Sequence, residues 1–209
     1  MLNFNRDTGT GHALDGRLDP RSAMVRRNEI RPFNRQVVSD GGPFIGWSNY
    51  HFNLPASNSL TWVGTPFQPI GLCLPSATGA ARACPDATTI MVTGDGGGFM
   101  GLPDLDSLVR TEDSAVVLVT NDACFGAEIH QHSSRGLDEQ IMKIDLVDSS
   151  KLAEGFGATG LVTENMADIE TAHEWGSAGA RGTLVVDLRI SRTVVAPYLL
   201  EIIELTLKK

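Results

Sequence analysis

Short runs with no polar face alternate along this chain with longer stretches of mixed character. RQVVSDGG ends near Asp40, TTIMVTGDGGG at Gly94, AVVLVTND at Asn121 and GTLVVDLRI near Asp187. Each run is β-branched and apolar on both faces, as expected of parallel strands covered on both sides by helices. Between them lie segments of helical character. PIGLCLPSATGAARA is rich in small residues, and LPDLDSLVRT carries Pro103 where a first-turn proline fits. SSKLAEGFGA opens with Ser149 and Ser150 as capping candidates, and NMADIETAHEWGSAG runs into a glycine stop. The alternation predicts an α/β fold with a central, mostly parallel sheet. Residues 1–34 are polar and show little periodicity, which predicts an arm or linker, partly disordered, ahead of one domain over 35–209.

Composition narrows the function. The chain has 209 residues, a net charge of -8 and 42% hydrophobic residues, enough for one sizeable core. The acidic balance argues against nucleic acid as partner, the small cluster of Arg26, Arg27, Arg31 and Arg35 notwithstanding. Three cysteines, Cys73, Cys84 and Cys124, form no CxxC pair and read as buried free thiols. The N-terminus lacks the apolar stretch of a signal peptide, and no apolar run is long enough to cross a bilayer. A cytoplasmic protein without a membrane partner is the expectation.

The chemistry concentrates in two loops. In an open parallel sheet, ligands bind beyond the carboxyl ends of the strands, and both GDGGG at 94–98 and the segment after Asn121 lie there. Glycines let backbone N–H groups converge on an anion, but Asp95 would repel a phosphate unless a cation lay between them. Mg²⁺ accepts carboxylate and phosphate oxygens together. A tight turn capped by Asp95 is the competing reading of that loop. The dinucleotide fingerprint is not met, because its third glycine falls on Phe99. Asp122, in the loop after the next strand, brings a second carboxylate to a neighbouring strand end.

The pair GDG (94–96) and VLVTND (117–122) resembles the signature of thiamine diphosphate enzymes, in the domain that holds the cofactor's diphosphate. The resemblance implies a Rossmann-like three-layer domain with a central parallel sheet. It also implies Mg²⁺ held by Asp95, by Asp122 in place of the family's usual Asn, and by the main-chain carbonyl of Cys124. Upstream, FQPIGLCLPSATGAARACPDATTIMVTGDGG and VSDGGPFIGW extend the likeness, which covers about residues 35–195. By it, Ile70 matches the apolar residue that props the cofactor's bend, and Gln68 offers its carbonyl to the aminopyrimidine. Gly42, Gly94, Gly96, Gly97 and Phe125 complete the implied cofactor positions.

The family's catalytic glutamate belongs to a pyrimidine-binding domain, and this chain resembles only the diphosphate-binding one. The resemblance therefore implies a hetero- or homo-oligomer, or a larger protein, in which a partner domain supplies that glutamate. It implies decarboxylation or acetolactate synthase-like carboligation of 2-oxo acids. His130 and His132 in GAEIHQH are candidate proton carriers facing substrate, with a solvated helix face as the alternative. Glu128 and His51 are weaker candidates of the same kind. The contrasting function is a non-catalytic nucleotide-binding or regulatory module on the same scaffold.

Overall fold

The computed structural model describes residues 6–29, 34–64, 67, 69–111, 113–133 and 135–207. Gln68 and Arg31 lie outside the described residues. Six parallel strands form one sheet: β1 (Arg35–Ser39), β2 (Leu60–Trp62), β3 (Thr88–Gly94), β4 (Ser114–Asn121), β5 (Thr159–Thr163) and β6 (Gly182–Arg189). Their order is β2-β1-β3-β4-β6-β5. The chain starts inside the sheet at β1, crosses out to the edge at β2, then returns past β1 to build β3 and β4. That reversal opens a crevice between the carboxyl ends of β1 and β3.

Successive residues of the strands feed opposite layers. Val37, Ile90, Val92, Val116, Leu118, Leu184 and Val186 pack on one side. That side is covered by α1 (Pro20–Glu29), α2 (Ile45–His51) and α8 (Asp168–Ser177). Val38, Met91, Val117, Val119 and Val185 pack on the other, under α3 (Cys73–Ala83), α5 (Leu105–Thr111) and α7 (Ser149–Gly155). Both faces of each central strand are dry, which is why those strands read as continuous apolar runs.

The structure departs from the sequence expectations at several points. The glycine-rich segment after β3 is not a loop: it is α4 (Asp95–Met100), which starts directly at Asp95. The cap of α7 is Asp148, whose side chain accepts from the Ser150 and Lys151 amides at 3.1 and 3.2 Å, rather than Ser149 or Ser150. Cys73 and Cys124 are buried, but Cys84, just past the end of α3, is exposed. Within the polar N-terminal stretch, residues 6–29 are ordered on the sheet. Leu18 pairs with Ile190 in a parallel bridge, and Ala23 and Met24 enter the core. α1 shows no helical amphipathic pattern because Arg27 lies on its buried face, donating to the Thr163 hydroxyl at 2.9 Å. The last helix, α9 (Pro197–Leu207), packs against α2 and against α6 (Gly126–Ser133). No helix among the described residues is long and apolar enough to cross a membrane.

Candidate functional site

The crevice between β1 and β3 deepens into a cleft of about 300 Å³, floored by the strand ends and walled by α2, α6 and α9. Behind the lining residues Gly41 and Gly97, Asp40, the residue after β1, is fully buried. Its carboxylate accepts from the Gly71 amide at 2.9 Å, the Thr93 hydroxyl at 3.1 Å and the Gly41 amide at 2.9 Å. Burial pushes its pKa above the usual carboxylate range, and the three hydrogen bonds offset part of that. The clasp holds the segment carrying Ile70 against the sheet. It also constrains α4: a Cβ on Gly97 would lie 2.9 Å from Asp40 Oδ2. Across the cleft, a Cβ on Gly96 would lie 2.5 Å from the Phe125 ring. These two glycines are therefore required by close packing of α4 between Asp40 and Phe125.

Asp95 and Asp122 occupy neighbouring strand ends, after β3 and β4, and are 2% and 7% exposed. Asp95 Oδ1 accepts from the Gly96 amide at 2.9 Å; Oδ2 is buried with no hydrogen-bond partner among the described residues. Burial, and then the charge of Asp122, push the Asp95 carboxyl up to about 7. Asp122 is raised by burial, with Cys124 and Arg192 acting in the opposite sense. Two carboxylates buried side by side are stable in water-poor surroundings when they share a proton or a cation. A buried oxygen without a partner, beside a second buried carboxylate, fits a divalent ion.

The loop after β4 is held in an unusual shape. Ala123 has φ 58°, a left-handed conformation costly for a residue with a side chain. Asn121 supports it: Oδ1 accepts from the Ala123 amide at 3.3 Å, while Nδ2 donates to the Val147 carbonyl at 3.0 Å and to Asp187 Oδ1 at 2.8 Å. The Phe125 amide donates to the Met142 carbonyl at 2.8 Å, and the Ile144 amide donates to the Ala123 carbonyl at 3.1 Å. This ladder pairs Cys124 with Lys143 without using the polar backbone groups of Cys124, so its carbonyl turns away from that strand. Cys124 lines the cleft beside Asp122. Two side-chain carboxylates and one main-chain carbonyl make a hard-oxygen donor set. Among the described residues no group of three or more His, Cys, Asp or Glu side chains is placed to hold a metal, so further ligands would come from a bound molecule or water.

Most of the residues singled out in the sequence meet in this cleft. Gly42, Ile70 and Gly94 through Gly97 line one side. Asp122, Cys124 and Phe125 line the other, and His130 reaches it from α6. His132 is not among the lining residues, and its buried Nδ1 has no partner among the described residues. The i, i+2 spacing on α6 turns the two imidazoles to different faces. His51 lies outside the cleft, buried at the end of α2, whereas Glu128 lines it. Sequence reasoning missed Asp40, which read only as a strand end, and the segment 190–202. From that segment Arg192 and Tyr198 line the cleft, and the Tyr198 hydroxyl donates to the Gly42 carbonyl at 2.9 Å. Nothing in local sequence flags either, because their partners come from strands far away in the chain.

Residues 40–188 match the family described as thiamine pyrophosphate enzyme, C-terminal TPP binding domain, thiamine pyrophosphate being the same compound as thiamine diphosphate. The chain belongs to this family. The TPP-binding domain is 26% identical over 184 residues to a putative thiamine pyrophosphate-containing protein, YdaP, of Bacillus subtilis, covering 86% of this chain and 31% of that one. It is 27% identical over 154 residues to the acetolactate synthase of the same organism, covering 74% of this chain and 27% of that one. Its fold matches the thiamine diphosphate-dependent 4-hydroxybenzoylformate decarboxylase of Rhodococcus jostii RHA1 with a TM-score of 0.77 at 22% identity, over 89% of this chain and 35% of that one. The TPP-binding domain thus spans about a third of the length of these relatives. The match begins at Asp40, the buried clasp of the cleft, and takes in both Asp95 and Asp122.

Proposed function

We propose that this domain binds thiamine diphosphate through Mg²⁺ as the diphosphate-binding part of a decarboxylase or carboligase acting on 2-oxo acids. The observation that carries the reading is the buried pair Asp95 and Asp122, with Asp95 Oδ2 left without a hydrogen-bond partner among the described residues. In this reading Asp95, Asp122 and the Cys124 carbonyl would hold the ion, which would supply positive charge for the diphosphate. Ile70 presents β-branched apolar surface to prop the cofactor, and the Asp40 clasp on Gly71 keeps it from receding. When bound, thiamine diphosphate supplies the nucleophilic carbon and the electron sink that 2-oxo acid cleavage needs.

His130 is the proton carrier on this domain's side of the site. Burial lowers its basicity, so it stands neutral near pH 7 and can accept a proton from substrate or return one. The cofactor's aminopyrimidine end and the glutamate that activates it belong to a pyrimidine-binding domain or partner subunit. The names of two relatives, an acetolactate synthase and an alpha-keto-acid decarboxylase, support the substrate class.

Isothermal titration of the domain with thiamine diphosphate, with and without Mg²⁺, tests the reading. Heat of binding that appears only with both is the expected result. Equal binding of NAD, or thiamine diphosphate binding indifferent to chelator, would reject it in favour of a nucleotide-binding module.

A further inference from the structure

Arg192 stands three residues beyond the end of β6, on the wall of the cleft, where its charge reaches Asp122. Its backbone is fixed from two sides. β6 runs alongside β4 with Arg189 opposite Asn121, and the Ile190 amide donates to the Asn121 carbonyl at 3.1 Å. The next residue is tied to the N-terminal segment: the Ser191 amide donates to the Leu18 carbonyl at 2.9 Å, and its hydroxyl donates to Asp15 Oδ2 at 2.9 Å. Ser191 Oγ in turn accepts from the Thr193 amide at 3.1 Å. The guanidinium is thus carried on an ordered turn that opens onto the cleft.

Its side chain is half-buried, and it makes no salt bridge with a carboxylate among the described residues. Arg189, three residues earlier, is by contrast paired with Glu164 at 2.6 Å. Asp122 and Glu139 feel the Arg192 charge without pairing with it. A guanidinium has five donors in a planar fork, and the ligand matching that fork is a phosphate or carboxylate. A resident cation acting on Asp122 opposes a second cation at that carboxylate unless an anion joins the two.

We propose that Arg192 is a second cationic anchor for the cofactor's diphosphate, taking phosphate oxygens that the metal leaves free, and that residues 15–18 of the N-terminal segment set its position. The inference rests on the proposed cofactor reading and adds a side chain that sequence motifs did not mark. Its physical content is a pair of opposite signs. Replacing the guanidinium with a neutral amide removes a repulsive charge from bare Mg²⁺ and an attractive one from a phosphate.

The test is isothermal titration of wild type, Arg192→Gln and Arg192→Lys with three probes: Mg²⁺ alone, inorganic pyrophosphate with Mg²⁺, and thiamine diphosphate with Mg²⁺. Arg192→Gln is expected to weaken both diphosphate probes by about tenfold or more, the loss of a charge-assisted hydrogen bond. Its affinity for Mg²⁺ alone is expected to hold or rise. Arg192→Lys is expected to recover part of the diphosphate affinity, as a point charge without the fork. If Arg192→Gln binds pyrophosphate as tightly as wild type does, Arg192 serves only as a counter-charge to Asp122 and the inference falls. Equal losses for Mg²⁺ alone and for pyrophosphate would mean a damaged metal site and overturn it too. A wild type that binds pyrophosphate but not thiamine diphosphate rejects the cofactor reading while leaving the diphosphate anchor standing. A wild type that binds neither rejects both.

Discussion

The carboxylate of Asp40 accepts a hydrogen bond from the Gly71 amide at 2.9 Å, joining the end of β1 to the residue that follows Ile70. The same Oδ2 accepts from Thr93 at the end of β3. One side chain thus ties two strand ends to the segment that carries Ile70. Asp40→Asn is close to isosteric but turns an acceptor into a donor where an amide and a hydroxyl already point. The expected cost is about 1–3 kcal/mol of stability, together with weaker cofactor binding. Urea denaturation measures the first; an unchanged midpoint would show that the clasp is dispensable.

Gly96 and Phe125 make a second tight relationship, since a methyl on Gly96 would sit 2.5 Å from the ring. Gly96→Ala is expected to destabilise the domain by about 1–3 kcal/mol through overpacking. Truncating the obstacle should relieve that strain. In the Phe125→Ala background, the added methyl is expected to cost little. A double-mutant cycle by chemical denaturation reads the coupling, and additive costs would contradict it.

The carboxylate pair makes a pH prediction whose sign follows from Asp95. Its carboxyl is pushed up to about 7 in the folded domain, whereas in the unfolded chain it titrates near its ordinary value of about 4. The folded state therefore binds this proton more tightly, and the contribution of Asp95 to stability is lost as pH rises through the window from about 4 to about 7. The full effect is of the order of 4 kcal/mol. Without divalent ion, Asp95→Asn is expected to melt at a higher temperature than wild type at pH 8 and to differ much less at pH 4. Mg²⁺ is expected to raise the wild-type melting temperature at pH 8 and to leave the variant nearly unchanged. Thermal melts across pH with and without Mg²⁺ check both, and a variant that melts below wild type at pH 8 would contradict the account.

The strands at 35–39, 88–94, 114–121 and 182–189 were legible because each central strand is dry on both faces, so burial is written into consecutive residues. β2 and β5 gave no comparable signal. They are edge strands, three and five residues long, with intermediate or exposed positions that do not force an apolar run. α1 was hidden for a related reason: its buried face includes Arg27, whose polar end is met by Thr163 from a distant strand. The glycines of α4 could be seen, but their reason could not. Sequence suggested a backbone opening onto an anion, whereas the fold shows a helix packed between Asp40 and Phe125.

By itself the sequence determined the class of fold, through hydrophobic runs of strand length, and it marked Asp95 and Asp122, because chemistry that needs a particular residue at a strand end leaves a local motif. Only the tertiary structure decided which other groups build and line the cleft around that pair. Asp40, at the end of β1, and Arg192 and Tyr198, in the segment after β6, come from distant parts of the chain and are brought to one sheet edge by the reversal at β1 and the pairing of β4 with β6. Their roles depend on distances between elements far apart in the chain, and such distances are set by the packing of the whole domain rather than by any neighbouring residue.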